Sequence, residues 1–307
     1  MIEINATLDI AHMPSPFEII ANETGIPLPD LLHSLLATGR TDYGSDWRTT
    51  WRERILTSPP PLMSCYDFEW LDAASSRRVI SDWLNPQFQD GRSFLPFGRN
   101  GAGDVFCLMP TDGQSIGVAH VFHDCDDSEI GYRSFVDFVC TRFLETFADM
   151  SHLLDDFSEQ EALEIVKADV VHVSEFLDPR VREYLQSFCH LPPAHREYRD
   201  GPRACPRVAF SLIAQDQLSV ELLKFPAPLV DPFPVVARWD VPSYASRRPA
   251  PESIPDWRID ALKSGKKFSA IKSYQKEYGV SLSEAKNAID DYIHTHSSDT
   301  SQETRLK

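Results

Sequence analysis

Three groups of residues in this chain have types and spacings that could do chemistry. His120-x-x-His123-Asp124-x-Asp126 offers imidazoles and carboxylates for a metal ion. A metal needs ligand atoms converging at about 2 Å. Read as one strand over 116–123, the period of two puts His120 and His123 on opposite faces. The expectation is therefore a packed histidine followed by a solvated acidic turn. Cys189-His190, His195 and Cys205 form a second candidate, but C-H-x4-H-x9-C fits no zinc spacing, and Pro192-Pro193 constrains the loop. Gly98-x-x-Gly-x-Gly103 could cradle a phosphate if it followed a strand and opened a helix. Here Pro96 precedes it and a strand follows, which reads as a tight turn whose glycines supply positive φ. Neither a Gly-x-Ser-x-Gly elbow nor His-Glu-x-x-His occurs. The chain is expected to carry no catalytic residue, no metal and no cofactor, and not to be an enzyme.

The carboxylates offer a different chemistry. Asp124, Asp126, Asp127 and Glu129 form one acidic cluster, and Asp155, Asp156, Glu159, Glu161 and Glu164 form another. Such groups can stand in for phosphates against the Lys and Arg of a basic protein, with Tyr132 and Phe157 as aromatic anchors. The alternative is exposed caps and turns that only solvate the surface. Net charge is −16, and residues 104–178 hold 17 acids against 3 bases. Residues 251–307 are balanced, with 9 of each. That field argues against direct contact with nucleic acid, whose backbone demands cationic patches. It suits a basic protein partner, because opposite fields speed encounter.

With 307 residues the chain can bury a core without staples. Apolar runs are far shorter than the roughly 20 residues of a membrane helix, so no membrane contact is expected. The first residues lack a basic region followed by an apolar core. The six cysteines form no C-x-x-C pair, and Cys107 and Cys140 fall within apolar patterns. These features suggest a cytoplasmic protein with reduced thiols.

The positioning elements follow from periodicity. Pro29 and the stripe Leu31, Leu32, Leu35, Leu36 predict a helix ended by Gly39. Asp46–Leu56 and Asp72–Leu84 predict two more. From Phe94 the period becomes two. Val105–Leu108 and Ile116–Phe122 are strands, with Thr111-Asp-Gly113 turning between them. Phe135, Phe138, Val139, Phe143, Leu144 and Phe147 recur at helical spacing after Ser134. Ser158 and Glu161 form a capping box. Val170–Val173 reads as a strand, Pro179–Phe188 as a helix, and Val208–Ile213 with Leu218–Phe225 as a hairpin. Eight prolines over 226–255 suggest an extended linker. Two tail helices carry Phe268, Ile271, Tyr274 and Tyr278, then Leu282, Ala285, Ala288, Ile289 and Tyr292, with Gly279 between them. The polar end from Ser297 reads as disordered.

The run Pro96-Phe-Gly-x-x-Gly-x-Gly-Asp-x-Phe-Cys-Leu108, a strand ending near His120, an acidic turn and Ser134-Phe-x-x-Phe138 resemble the core of the SUKH superfamily over residues 25–150. The resemblance implies an α+β domain in which a mixed sheet packs with helices. It also implies an immunity protein that binds and neutralises a secreted bacterial toxin, often a nuclease. A regulatory or scaffold role is the alternative within the superfamily. Gly265-Lys-Lys-Phe-x-Ala-Ile-Lys-x-Tyr and Leu282-x-Glu-Ala-Lys-x-Ala-Ile289 resemble two helices of the bacterial ribosomal stalk protein's C-terminal domain, implying a helical hairpin. The expected organisation is a SUKH-like domain at 1–155, an α+β extension at 156–240, a proline-rich linker at 241–260, the hairpin at 261–296 and a tail at 297–307. The expected partner surface comprises Asp124, Asp126, Asp127, Glu129, Tyr132, Asp155, Asp156, Phe157 and Glu159, and the expected partner is a basic, nuclease-type toxin.

Overall fold

The computed structural model describes residues 14–111, 115–199, 201, 203–241, 267–278 and 282–296. The chain divides into two compact units, Met1–Ser243 and Tyr244–Lys307. Its class is α+β.

In the first unit, α1 (Pro16–Thr24) starts at a capping box of Ser15 and Glu18, with Pro16 at its first position. This helix is not among those expected above, although its capping box stands in the sequence. Then come α2 (Asp30–Ala37), α3 (Trp47–Thr57) and α4 (Ala73–Asp82), the last capped by Asp72. Strands β1 (Glu69–Trp70), β2 (Leu95–Arg99), β3 (Val105–Pro110), β4 (Ile116–Val121) and β5 (Asp127–Tyr132) follow. After them are α5 (Phe135–Ala148), α6 (Glu159–Ser174), α7 (Pro179–Phe188), β6 (Ala194–Tyr198), β7 (Arg207–Ser211), α8 (Gln215–Leu222) and β8 (Phe233–Pro234).

The main sheet has the order β1-β2-β3-β4-β5-β8, and every pairing in it is antiparallel; strand directions are not mixed. Both faces are covered, which is why β3 reads as an unbroken apolar run. Phe106 and Leu108 turn to the helices, with Phe97, Phe135, Phe138 and Phe143 beneath them. Val105, Cys107 and Met109 turn the other way, onto Trp83, Leu84, Phe94, Phe233, Val235 and Val241. The glycine run has two separate jobs. Gly98 lies inside β2, where an added Cβ would meet the Phe68 ring at 2.5 Å, and Gly103 alone of the three takes positive φ, at +102°.

Several local readings are corrected. Val170–Val173 is not a strand but the interior of α6, since Ala162, Val166, Val170 and Val173 continue one buried helical face. Residues 218–225 do not pair with 208–213; they fall mostly within α8, and β7 pairs instead with β6, which contains His195. The proline-rich stretch is not a linker throughout, because β8 closes the sheet on β5 and Val235 and Val241 enter the core. Residues of α6, α7 and β7 share one hydrophobic cluster with α1, α2 and α5. The turn at 112–114, the prolines beyond Val241 and the tail from Ser297 lie outside the described residues.

In the second unit, α9 (Lys267–Tyr278) and α10 (Leu282–His296) pack through Ala270, Ile271, Ala285 and Ile289, flanked by Tyr274, Tyr292 and Ile293. Gly279 lies outside the described residues.

Candidate functional site

The acidic cluster at 124–129 sits where β4 ends and β5 begins. Its conformation is set by Asp104, the residue between the glycine turn and β3. Asn100 shapes that turn, its side chain accepting from the N–H groups of Gly103 and Asp104 at 2.9 Å and donating to Asp104 Oδ2 at 2.9 Å. The other carboxylate oxygen of Asp104 accepts from the His123 backbone N–H at 3.0 Å and lies 2.6 Å from His123 Nδ1. Burial pushes the Asp104 carboxyl up, but the His123 ring, the His123 N–H and Asn100 outweigh it and hold the group below the ordinary range.

This arrangement overturns the expectation that His120 and His123 diverge. β4 stops at Val121, so His123 no longer obeys the strand period, and the chain bends back over Asp104. His120 stays in register with Phe106, stacks on its ring at 4.7 Å and lies 3.8 Å from Asp104 Oδ2. Burial lowers its pKa.

A second clamp comes from a segment the sequence reading assigned to a linker. Val235 N–H donates to Asp126 O at 2.7 Å, and Arg238 N–H donates to His123 O at 3.0 Å. Trp239, half-buried, sets its ring edge-on to His123 at 5.1 Å. No local signal marks Trp239, because only the closure of β8 on β5 brings it here. Asp124, Asp126, Asp127 and Glu129 are all exposed, while the alternating Ser128 and Ile130 of β5 point inward. The cluster is therefore a row of carboxylates on a braced backbone.

The remaining sequence-derived residues divide. Tyr132 is half-buried, its ring edge-on to Phe138 at 5.1 Å, and burial pushes its phenol up to about 12. Asp155 and Asp156 are exposed. Phe157 is not a surface anchor: it is 7% exposed and packs with Ile55 and Ile165, edge-on to Trp51 at 5.9 Å. The Arg52 guanidinium lies 4.8 Å above that ring, donates to Asp156 O and reaches Glu161 at 3.8 Å. Glu159 pairs with His195 at 2.9 Å. Arg52 thus supplies a cation to Glu161 of this second cluster, whereas among the described residues no ion pair involves Asp124, Asp126, Asp127 or Glu129. Cys189, expected in a surface loop, is buried at the end of α7, and burial pushes its thiol up to about 11.

Two of the cavities lie in the first unit. One of about 580 Å³ between α1 and α4 is lined by Glu23, Arg77, Ile80, Leu84 and Phe94 among others. Another, of about 460 Å³, gathers Tyr66, Arg142, Glu145, Asp149, His152 and Arg207, with His152 Nε2 engaged 3.0 Å from Ser64 O. Among the described residues no helix is long and apolar enough to cross a membrane. Comparison with protein-family models, with curated proteins and with solved structures finds no match to this chain.

Proposed function

We propose that this chain is an immunity-type protein of the SUKH kind, which binds a basic antibacterial toxin of the nuclease class and works in the cytoplasm without chemistry of its own. The observation that supports the reading best is the braced row of Asp124, Asp126, Asp127 and Glu129, held by Asp104 from one side and by Val235 and Arg238 from the other. Exposed carboxylates carried on a braced backbone can stand in for phosphates against the Lys and Arg of a cationic cleft. Trp239 replaces Phe157 as the aromatic anchor beside that row.

The test is co-expression with the product of the adjacent gene, followed by co-purification and a toxicity rescue. Rescue by the wild type, lost on reversing Asp126 and Asp127 to Lys, supports the reading. Rescue that survives the reversal removes this surface from it.

The superfamily's scaffold role is a second reading, favoured by the separate compact hairpin of α9 and α10. A partner captured by the chain through that hairpin, with no rescue of any toxin, would support it instead.

A further inference from the structure

We propose that Asp104, His123 and Asp124 form a binding site for a divalent transition-metal ion of the zinc type. Among the described residues these are the His, Cys, Asp and Glu side chains whose ligand atoms converge, all lying within 4.8 Å of one another. The inference goes beyond the toxin-binding proposal and holds whether or not a toxin is bound.

Three features carry it. The donors arrive on rigid backbone: Asp104 on the turn shaped by Asn100, and His123 and Asp124 on a connection clamped by the 235–238 segment. They differ in exposure, with Asp104 buried, His123 half-buried and Asp124 exposed, so the site has a floor and an open mouth. The third feature is His120. Its Nε2 is shielded from solvent, has no hydrogen-bond partner and lies 3.8 Å from Asp104 Oδ2. His120 stands outside the converging set, so it lies behind Asp104 and leaves the fourth position of a tetrahedral ion to solvent.

The chemistry fits zinc better than the alkaline earths. Imidazole with carboxylate suits zinc and its neighbours, whereas calcium and magnesium select all-oxygen shells. Ligand atoms around a tetrahedral zinc stand roughly 3.3 Å apart for bonds of about 2 Å. The His123 Nδ1 to Asp104 Oδ1 distance of 2.6 Å must therefore open, and separations that reach up to 4.8 Å must close by as much as about 1.5 Å. Nδ1 must carry no proton when bound, so the ring hydrogen sits on Nε2. The ion would place positive charge at the head of the acidic row.

The experiment uses the full chain, stripped with chelator and titrated with zinc chloride by calorimetry near neutral pH, with the melting temperature read in parallel. One strong equivalent and a raised melting temperature are expected. Asp124→Asn should weaken binding at least about tenfold, the loss that even an outer partner of a metal ligand typically causes. His123→Gln should remove the site. Absence of heat and of any thermal shift overturns the proposal. So does binding unchanged in both variants, which would place the ion elsewhere. If His123→Gln fails to fold by circular dichroism, Asp124→Asn decides alone, because Asp124 is exposed and its carboxylate accepts only a long contact from the adjacent Cys125 Sγ, at 3.5 Å, among the described residues.

Discussion

Asp169 in α6 holds Ser64 with two hydrogen bonds to a single carboxylate oxygen, from the backbone N–H at 2.9 Å and from Oγ at 2.7 Å. The other oxygen accepts from Leu62 N–H at 2.9 Å, and Leu62 sits at φ +61°, a conformation costly for a branched side chain. Asp169 and Ser64 are both fully buried. The loop before β1 is thus pinned to a helix about a hundred residues later in the chain. Asp169→Ala should cost about 3 kcal/mol or more in urea denaturation, because it strands buried N–H groups. Asp169→Asn, which keeps one acceptor, should cost less.

The same carboxylate makes a pH prediction. Burial pushes Asp169 up to about 6, against the hydrogen bonds that pull it down. An unfolded Asp titrates near 3.9. Between those values the folded state holds its proton more firmly than the unfolded state does, so this group's contribution to stability falls as pH rises from about 4 to 6 and is level above that. Asp169→Asn removes the titration. Its destabilisation measured near pH 4 should therefore exceed that measured near pH 7.5, by up to about 3 kcal/mol. Equal costs at the two pH values would contradict the assignment.

Gly98→Ala should destabilise the protein by about 1–3 kcal/mol, the usual cost of overpacking. The new methyl would lie 2.5 Å from Phe68 Cε2, and Phe68 has no room to yield between Trp70, Phe97, Phe106 and Phe138. A thermal melt unchanged from wild type would show that the β2 backbone shifts freely instead.

Phe157→Ala and Trp239→Ala should separate stability from binding. Phe157 belongs to a core cluster, so its truncation should lower stability by about 3–5 kcal/mol. Trp239 is half-buried beside the acidic row, and on the proposed function its truncation should raise the dissociation rate from a basic partner about tenfold or more with a small change in stability. Surface plasmon resonance with parallel denaturation reads both.

Reversal of Asp126 and Asp127 to Lys should slow association with a basic partner by about tenfold or more at low ionic strength, and flatten its salt dependence. Both side chains are exposed, so the fold should tolerate the change. An association rate unaltered across salt concentrations would remove this row from the interface.

What was legible in the residues themselves was local. The period of the phenylalanines fixes α5, the boxes at Ser15 and Ser158 start α1 and α6, and the alternation in β3 and β4 follows from the pleat. The acidity of 104–178 is a matter of composition. Non-local pairing decided the rest. Whether Val170–Val173 is strand or helix depends on which face α6 presents to the core, since a short apolar run satisfies either. Phe157 is core because α3 brings Ile55 and Trp51 over it, which no window around residue 157 contains. His120 and His123 meet at Asp104 because β4 ends at Val121, two residues short of His123, and the 233–241 segment closes over the gap. A strand's period applies only while its ladder lasts, and where a ladder stops is set by the partner strand.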